Sequence, residues 1–512
     1  MKNKILLIES PFYRLHKNSY SLDRIPFGLA YLAGSILENT NWDVKVYNAD
    51  FIPSINRKKV SFLAGRGFNS YVKNLNNLNF GIWNEIRKVI MDFKPNVIGI
   101  SVKSATYISS VNISKIAKQI DANIKIIFGG PYPTSAKKDL FINPNLDISV
   151  IGEGENTIAE LLYSIKADLP LNNINGLIFR QNNELVSTPP REFMKDLNVL
   201  PYPHEIAKRV LHDYKKYPKS AFKYIFASRG CPFNCNFCAS KDMWTRKARL
   251  RSVENIVNEI KGITKLGIKN LHFDDDTFGI SKKNILNLCN SIKTEVPDIK
   301  WSCEIRADII DDDIVIAMKE AGCELIQIGF ESGNDKILEY MSKGVTVSQI
   351  LNACRIVKKH SIELQTFFLV GYPYETEETL KDSIKMMKKS KSDKIIYSIF
   401  TPYPYTYLYE FCKEKGLVKE KFDPTLFNHQ SPLNCFSMYI PPKRFRVLAK
   451  RIERMVDRRN LILRMKRILT LKGFQRFNEL TNETMIKIKN QKESNCSSKI
   501  IVDPIEITEL SK

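Results

Sequence analysis

Short apolar runs alternate with amphipathic stretches along the first 170 or so residues of the chain. The apolar runs cover residues 4–10, 43–50, 96–102, 124–130 and 147–155. Helical periodicity follows the first run in "FGLAYLAGSILEN", and similar stretches follow later runs. Strands that alternate with helices predict a parallel, doubly wound sheet. We therefore predict an α/β, Rossmann-like domain over residues 1–170, with its ligand outside the carboxyl ends of the strands.

Two segments interrupt or end this first alternation. Residues 51–80 are polar, and we expect an irregular insertion over the mouth of the sheet. The stretch "NINGLIFRQNNELVSTPP" (173–190) has two apolar runs around an Asn-Asn pair, which predicts a hairpin. We assign residues 171–221 to this hairpin and a Pro-rich linker.

From residue 222 the alternation restarts. The predicted strands are 224–228, 270–275, 300–306, 324–331, 363–371 and 394–400. The predicted helices are 252–266, 281–294, 311–320, 334–359 and 376–389. Six strand–helix units are fewer than the eight of a closed barrel, so residues 222–420 predict a partial (β/α)6 TIM-type barrel. Active residues of such barrels cluster at the carboxyl ends of the strands.

The segment that follows the predicted barrel is more basic than the rest of the chain. We expect residues 421–484 to form a basic helical region, because 441–477 combine many Lys and Arg with helical periodicity. Such a helix suits an anionic substrate or an anionic membrane surface, or lies solvated on the core. Residues 485–512 lack periodicity and predict a loose tail.

Composition excludes several classes of protein. The 512 residues are 43% hydrophobic and 26% charged, as in soluble globular proteins. No run approaches the roughly 18 apolar residues of a membrane span, and "MKNKILLIES" has too short an apolar run for a signal peptide. We therefore expect a cytoplasmic protein. The net charge of +23 suggests nucleic-acid binding as a hypothesis. The lysines are spread over most surface segments, however, so we do not expect such binding.

The stretch "SRGCPFNCNFCAS" (228–240) holds Cys231, Cys235 and Cys238, three of only ten cysteines. A reducing cytoplasm disfavours a disulfide. Three thiolates on one loop can bind three corners of an iron–sulfur cube. The next cysteine, Cys289, lies within a predicted helix, whereas a structural zinc site needs four ligands. The missing ligand predicts an open, reactive iron, with zinc or incidental thiols as the alternatives.

This Cys-x3-Cys-x2-Cys spacing after a first barrel strand, with Phe237 before the last cysteine, resembles the radical S-adenosylmethionine (radical-SAM) superfamily. The resemblance implies a 4Fe–4S cluster on Cys231, Cys235 and Cys238, shielded by Phe237. It also implies that the open iron chelates the amino and carboxylate groups of SAM. One electron from the cluster would then cleave the sulfonium and release a 5′-deoxyadenosyl radical.

Other strand ends extend the resemblance. In "FDDDTF" (273–278), Asp275 or Asp276 would meet the SAM ammonium, and Arg306 in "EIRAD" would meet the SAM carboxylate. In "GFESG" (329–333), Glu331 and Ser332 would be partners of the ribose hydroxyls.

Three positions depart from the pattern of the family. In "FLVGYPYET" (368–376), which resembles the segment under the adenine, Tyr372 and Tyr374 stand where relatives often carry Leu and Gly. Tyr405 stands where Gly is usual. These tyrosines put the substrate side in doubt, so no substrate contact is carried over to them.

Glycine turns at two successive strand ends mark the N-terminal domain. "GGPYPT" (129–134) and "VIGEGE" (150–155) permit close backbone approach to a ligand, and no Gly-x-Gly-x-x-Gly turn follows the first strand, which disfavours a nicotinamide site. With "RIPFGLAYLAGSIL" (24–37), these turns resemble the cobalamin-binding domain fused to many radical-SAM enzymes. The resemblance implies that Gly129, Gly130, Pro131, Gly152, Glu153 and Gly154 lie beside the nucleotide tail, and that Ser101, Ser104 and Thr106 approach the corrin.

One absence bears on the cobalt. His16 is the only histidine before residue 200, and no Asp-x-His-x-x-Gly sequence occurs there. We therefore expect cobalamin to bind without a histidine ligand.

The resemblance implies a cobalamin-dependent radical-SAM methyltransferase that acts on an unactivated carbon or phosphinate phosphorus of a biosynthetic intermediate. A radical-SAM cyclase, ring-contraction or oxidation enzyme is the alternative, and a cofactor-binding sensor or a tRNA-modifying enzyme are further ones. The expected partners are a small-molecule substrate, anionic or lipid-like, and an external reductant such as flavodoxin or ferredoxin. Peripheral membrane contact stays open.

Overall fold

The structure is a computed structural model that describes residues 3–53, 67–418, 431 and 433–469. The predicted tail at 485–512 lies outside the described residues. So do residues 421–430, 432 and 470–484 of the basic region, residues 419–420 of the predicted barrel and residues 54–66 of the predicted insertion.

The N-terminal half is a seven-stranded sheet. Its strands are β1 (Lys4–Glu9), β2 (Asp43–Asn48), β3 (Val97–Ser101), β4 (Lys125–Gly129), β5 (Ile148–Val150), β6 (Leu177–Gln181) and β7 (Glu184–Ser187). Their order is β2-β1-β3-β4-β5-β6-β7, and the first five are parallel. Its helices are α1 (Tyr13–His16), α2 (Phe27–Asn39), α3 (Phe68–Asn76), α4 (Gly81–Phe93), α5 (Tyr107–Ile120), α6 (Pro131–Ala136), α7 (Glu155–Ala167) and α8 (Pro203–Val210). The predicted doubly wound domain is confirmed.

Strand β1 shows why both faces of this sheet are covered. Ile5 and Leu7 are buried in one hydrophobic cluster with residues of α2, α7 and α8. Leu6 and Ile8 are buried in a second cluster with residues of α4 and α5. A strand with helices on both sides needs an unbroken apolar run, which is what the sequence has.

The connecting segments confirm one prediction and correct another. The hairpin of β6 and β7 turns at Asn182 and Asn183, whose φ values of 50° and 65° are typical of a two-residue type I′ turn. The irregular insertion expected over 51–80 is wrong for its second part, because α3 occupies 68–76. Phe68, Tyr71 and Leu75 are buried at helical spacing, so a few apolar residues suffice to fix this helix among polar ones.

The second half is built around a six-stranded parallel sheet in the order β8-β11-β12-β13-β14-β15. Its strands, with the short antiparallel pair β9 and β10, are β8 (Tyr224–Ile225), β9 (Ser228–Arg229), β10 (Arg249–Leu250), β11 (Asn270–Phe273), β12 (Lys300–Glu304), β13 (Cys323–Glu331), β14 (Glu363–Val370) and β15 (Lys394–Ile399). Its helices are α9 (Ser240–Trp244), α10 (Val253–Lys265), α11 (Lys282–Glu295), α12 (Asp312–Glu320), α13 (Asp335–Tyr340), α14 (Val347–Lys359), α15 (Glu377–Lys389) and α16 (Tyr407–Glu414). The predicted partial (β/α)6 barrel is confirmed.

The single helix predicted over 334–359 is wrong, because α13 and α14 are separate. Ser342 and Gly344 between them have φ values of 50° and 70°, which a helix does not allow. Thr346 then begins α14 with a capping box, since its hydroxyl accepts from the Gln349 amide and the Gln349 side chain accepts from the Thr346 amide.

Within the described part of the basic region, one long helix is present, α17 (Pro442–Ile468). Phe445, Ala449, Ile452 and Val456 are buried against the barrel at spacings of four, three and four residues, as a helix requires. Its basic residues lie mostly on the exposed side. No helix among the described residues is long and apolar enough to cross a membrane.

Candidate active site

The three cysteines lie on the loop that follows β9, at the carboxyl end of the first barrel strands. We call residues 230–239 the cluster loop. Cys231, Cys235 and Cys238 are free, half-buried thiols. Burial raises the pKa of Cys238 to about 11 and also raises the pKa of Cys231, and the nearby thiols add to both shifts. The three thiols therefore lie on one half-buried stretch of eight residues.

This donor set fits an iron–sulfur cube. Among the described residues, no group of three or more His, Cys, Asp or Glu side chains converges closely enough to hold one metal ion. A cube has separate iron corners, so its three thiolates need not converge on one point. Cys289, Cys303 and Cys323 are buried in the core of the barrel, so none of them supplies a fourth ligand on this loop.

Asn236 anchors the cluster loop to the turn after α13. Its backbone N–H donates to the carbonyl of Met341 at 3.0 Å, and its side-chain Nδ2 donates to the carbonyl of Tyr340 at 2.6 Å. The hydroxyl of Tyr372 lies 3.1 Å from Oδ1 of Asn236. Tyr372, singled out in the sequence as a departure, is thus fully buried behind the cluster loop. Tyr374, the second tyrosine that departs from the family pattern, stacks on Tyr340 with 4.3 Å between the ring centres.

Arg306 supports the cluster loop from the third strand end. Its guanidinium lies 3.7 Å from the ring centre of Phe233, and Nη1 lies 3.6 Å from Sγ of Cys235. Nε and Nη2 donate to the two carboxylate oxygens of Asp308, each at 3.0 Å, which fixes the plane of the guanidinium. The residue predicted to meet the SAM carboxylate therefore lies directly beside the cluster loop.

The structure distinguishes Asp275 from Asp276. Oδ1 of Asp275 accepts from the backbone N–H of Ser228 at 2.6 Å, from its hydroxyl at 2.6 Å and from the N–H of Ala227 at 3.1 Å. Burial raises the pKa of Asp275 to about 7. Asp275 therefore organises the backbone before the cluster loop, whereas Asp276 lines the cavity described below.

The fourth strand ends in a buried ion pair that the sequence did not indicate. Nζ of Lys343 lies 2.8 Å from Oε1 of Glu331, whose own φ of 62° is left-handed. The same ammonium lies 5.8 Å from the ring centre of Phe237, and the Lys343 carbonyl accepts from Arg306 Nη2 at 2.7 Å. Glu331 and Phe237 thus meet at Lys343. Lysine in a short turn between helices carries no motif, which is why it was missed.

Ser332 has a different neighbour from the one we expected. Its hydroxyl is fully buried and lies 3.3 Å from the hydroxyl of Ser383 on α15. Gly333 donates its N–H to the same Ser383 hydroxyl at 3.0 Å. Ser332 therefore packs the strand end against α15, and a contact with ribose stays a prediction.

A cavity of about 540 Å³ lies between the carboxyl ends of the two sheets. Seven of the nine residues predicted to hold cobalamin line it, namely Ser101, Gly129, Gly130, Pro131, Gly152, Glu153 and Gly154. The barrel contributes Arg229, Cys238 and Asp276 to its wall. The structure therefore brings the two sequence-predicted sites together in one space, which we call the first cavity.

A second cavity, of about 690 Å³, shares Ser101 and Pro131 with the first. Ser104 and Thr106, the other two predicted residues, line it. The Thr106 hydroxyl accepts from the Lys103 N–H at 3.0 Å and lies 3.2 Å from the Lys103 carbonyl, so it also shapes its own turn.

The walls of the first cavity fit a large organic cofactor. A side chain added at Gly28 or Gly152 would meet no protein atom within 4 Å, so both glycines face open space. Leu7, Leu32, Ile100, Ile127 and Val150 give the wall an apolar character. Apolar walls with a few polar groups at the rim are typical of cofactor sites. These residues fit cobalamin in kind.

Glu153 has partners that were not expected. Its carboxylate lies 2.8 Å from Arg229 Nη1 and 2.8 Å from Arg249 Nη1, and it accepts from the Met194 N–H at 2.7 Å. These partners hold the pKa of Glu153 below its ordinary value despite its burial, which opposes the shift. Glu153 therefore connects the N-terminal domain to the barrel. A salt bridge between Arg24 and Asp274 makes a second connection.

Comparison with known proteins agrees with this geometry. Residues 225–387 match the radical SAM superfamily, and residues 14–162 match the B12 binding domain. The chain is 32% identical to an uncharacterised methyltransferase, PH0819, of Pyrococcus horikoshii, over 81% of this chain and 84% of that protein. It is 27% identical to the anaerobic magnesium-protoporphyrin IX monomethyl ester cyclase of a Synechocystis species, over 66% of this chain and 67% of the cyclase.

A solved structure shares the fold. The radical S-adenosylmethionine methyltransferase TsrM from Kitasatospora setae, with cobalamin and a [4Fe-4S] cluster bound, superposes with a TM-score of 0.62. The match covers 84% of this chain and 82% of TsrM, at 16% sequence identity.

Proposed function

Because the chain belongs to the cobalamin-binding radical S-adenosylmethionine enzymes, we propose that it transfers a methyl group to an unactivated carbon or phosphinate phosphorus of a small-molecule substrate. Its cofactors are a 4Fe–4S cluster, SAM and cobalamin. The observation that carries the proposal is the first cavity, whose wall combines Gly129 and Gly152 of one domain with Cys238 and Asp276 of the other. A methyl carrier and a radical source on one cavity can act on the same substrate.

The residues around the first cavity fall into two groups, one that we assign to the cluster and SAM and one that we assign to cobalamin. When bound, the cluster supplies the electron that cleaves SAM, and cobalamin supplies the methyl group. We assign Cys231, Cys235 and Cys238 to the cluster, which leaves one iron corner for SAM. Asp276, which lines the first cavity, is the group we assign to the SAM ammonium.

The third and fourth strand ends complete the proposed SAM site. Arg306 lies beside Cys235 and is a rigid donor for the SAM carboxylate. Glu331, held by Lys343, is the acceptor we assign to the ribose. Phe237 shields the cluster from the side of Lys343.

The N-terminal side holds the methyl carrier. The glycine turns at 129–131 and 152–154 let a bulky ligand approach the backbone, and Ser101, Ser104 and Thr106 line the adjoining cavity. We propose that cobalamin binds there without a histidine ligand, because His16 is buried and stacked on Tyr71 at 4.5 Å between ring centres.

A second function has one specific observation in its favour. The similarity to a magnesium-protoporphyrin ester cyclase covers two thirds of both chains, so the same cofactors could serve cyclisation, ring contraction or oxidation without methyl transfer. The two functions differ in the fate of the SAM methyl group, which a labelled product reveals.

We propose an external one-electron donor, flavodoxin or ferredoxin, as the partner that reduces the cluster. We place the enzyme in the cytoplasm, where reducing conditions keep the three cysteines as thiols. The exposed basic side of α17 suits an anionic or lipid-like substrate or peripheral contact with an anionic membrane surface.

The cofactor assignments are tested with protein purified without oxygen. About four irons per chain are expected for one cube. Changing Cys231, Cys235 and Cys238 together to alanine should remove the iron, whereas Cys435→Ala, a half-buried cysteine outside the cluster loop, should retain it. Iron that survives the triple change would reject the cluster assignment, and a protein that binds no corrinoid by absorbance would reject the cobalamin site.

The reaction is tested with SAM that carries a deuterated methyl group. With a reductant present, a small-molecule product that contains the label supports methyl transfer. Formation of 5′-deoxyadenosine together with an unlabelled, rearranged or oxidised product would support the second function instead.

A further inference from the structure

Two arginines of the barrel and two glutamates of the N-terminal domain meet beside the first cavity, whose wall includes Arg229, Glu153 and Glu155. Arg229 Nη1 lies 2.8 Å from Glu153 Oε1, and Arg229 Nη2 lies 2.6 Å from Glu155 Oε1. Glu153 Oε2 lies 2.8 Å from Nη1 of Arg249, the residue opposite Arg229 in the pairing of β9 with β10. We call these four residues the interdomain bridge.

The interdomain bridge is nearly closed to water. The side chains of Arg229, Glu153 and Glu155 are 10%, 5% and 8% exposed. The Arg229 guanidinium also lies 5.5 Å from the ring centre of Tyr31 and 5.4 Å from that of Trp244. A buried guanidinium held by two carboxylates has one stable arrangement, because loss of a carboxylate leaves a buried charge without compensation. The bridge therefore fixes the backbones that it joins.

These backbones carry the two cofactor sites. Only Gly230 separates Arg229 from Cys231. Gly230 has a φ of 92°, and the Lys247 carbonyl oxygen lies 2.8 Å from the position of an added Cβ, so this link packs closely against the segment before β10 and accepts only glycine. On the other side, Glu153 and Glu155 flank Gly154 in the turn assigned to cobalamin. A shift of that turn must move the start of the cluster loop or break the bridge.

We propose that the interdomain bridge couples occupation of the cobalamin site to the state of the cluster loop, with Glu153 and Arg229 as positioning residues. This inference rests on the proposed function, because it places cobalamin and the cluster on opposite sides of the first cavity. Glu153 acts through the glycine turn and Arg229 acts through Cys231, and neither needs to touch a reacting atom. Coupling between two binding sites is reciprocal. A bound cluster therefore increases the affinity for cobalamin by the same factor by which bound cobalamin increases the affinity for the cluster.

The test measures hydroxocobalamin affinity of the full chain by absorbance, with and without a reconstituted cluster. For the unmodified protein we expect the cluster to tighten binding by a factor of at least about 5, the lower end of ordinary coupling between sites. In Glu153→Gln, which keeps the shape of the side chain but not its charge, we expect this ratio to fall to about 1. Arg229→Lys keeps the charge without the two-pronged geometry and should give an intermediate ratio.

A matched control and a spectroscopic measurement separate coupling from general damage. Arg191→Gln removes a different salt bridge, to Glu160 in the N-terminal half, and should leave the ratio unchanged. The electron paramagnetic resonance spectrum of the reduced cluster with SAM should change when cobalamin binds to the unmodified protein, and should not respond in Glu153→Gln.

A ratio near 1 in the unmodified protein, or an undiminished ratio in Glu153→Gln, would overturn the proposal. If Glu153→Gln loses its native circular dichroism, Glu155→Gln, which neutralises only the other carboxylate on Arg229, decides by the same criteria. A protein that shows the coupling but forms no labelled product would reject methyl transfer and leave the bridge intact. A protein that forms labelled product without coupling would reject only the bridge.

Discussion

Changing Lys343 to methionine should destabilise the protein by about 3–5 kcal/mol, because it leaves the Glu331 carboxylate buried without a partner. Lys343 Nζ and Glu331 Oε1 are 2.8 Å apart, and the two side chains are only 8% and 14% exposed. With an effective dielectric constant of about 20, two unit charges at this distance attract by about 6 kcal/mol. The variant no longer bears the cost of burying the Lys343 charge, which reduces this value to the range above. Methionine has a similar length, so the loss arises from charge rather than from a cavity.

Glu331→Gln and the double variant complete a thermodynamic cycle. The double variant buries no unpaired charge and should recover most of the stability, with a coupling energy of about 2 kcal/mol or more. Position 331 has a left-handed backbone, with a φ of 62°. Glutamate and glutamine bear the same backbone strain there, so this strain cancels from the coupling energy.

Unfolding in guanidinium, followed by circular dichroism without oxygen, measures these free energies. Lys336→Met, an exposed lysine on α13, is the matched control and should change the free energy of unfolding by less than about 0.5 kcal/mol. The reasoning fails if Lys343→Met is as stable as this control. It also fails if the effects of Lys343→Met and Glu331→Gln simply add.

Three further changes test separate parts of the structure. Burial raises the pKa of Glu375 to about 8, so the stability due to its protonated form is present at low pH and is lost as the pH rises through 8. Between about pH 6 and pH 8 this loss is about 2 kcal/mol, and Glu375→Gln should remove it; equal pH slopes in guanidinium unfolding would contradict this. Gly371→Ala should cost about 2 kcal/mol or more, because Gly371 has a φ of 82° and the Phe445 ring lies 2.5 Å from the added Cβ. Gly416→Ala, with a φ of 68° and no atom within 4 Å, should cost less in thermal unfolding, and equal losses would refute the steric argument. Asp276→Asn should weaken SAM binding by roughly tenfold in calorimetry with little loss of stability, whereas Asp275→Asn should mainly lower stability. The reverse pattern would exchange their roles.

Much of the fold follows from the sequence because its signals are strong and local. The apolar run 4–10 covers β1, whose residues are buried alternately on two faces, and the Asn-Asn pair at 182–183 supplies the two left-handed residues of a hairpin. The glycine turns at 129–130 and 152–154 come at the ends of parallel strands, so topology alone brings them to one edge of the sheet. This is why the residues predicted for cobalamin line two adjoining cavities.

Side-chain direction could not be predicted in the same way. Asp275 and Asp276 are neighbours after β11, and the sequence gives them equal claims on the SAM ammonium. The structure shows that β11 ends at Phe273 and that Asp275 turns back to the backbone of Ser228. Side chains alternate between the two faces only as far as the strand extends. Beyond the strand end, the direction of each side chain depends on its hydrogen bonds. Only three-dimensional contacts decide it.

Long-range ion pairs were missed for a related reason. Lys343 lies 12 positions from Glu331, and Arg229 lies 76 positions from Glu153. Neither spacing belongs to a helix or a strand, so no periodic pattern connects the partners. Glu153 itself was predicted from its place in a glycine turn, but its carboxylate binds two arginines that follow from the docking of the domains.

That docking explains why the two halves form one working unit. One hydrophobic cluster runs from Ile5 in the first sheet to Ile225 and Phe273 in the barrel, so the two domains share a continuous core. The interdomain bridge and the salt bridge between Arg24 and Asp274 also join the two domains. These ion pairs form because the carboxyl ends of the two sheets face each other. A barrel alone would keep Arg229 without its carboxylates, and an N-terminal domain alone would expose its glycine turns. The first cavity exists only between them, so its wall combines residues that we assign to cobalamin with residues that we assign to the cluster and SAM.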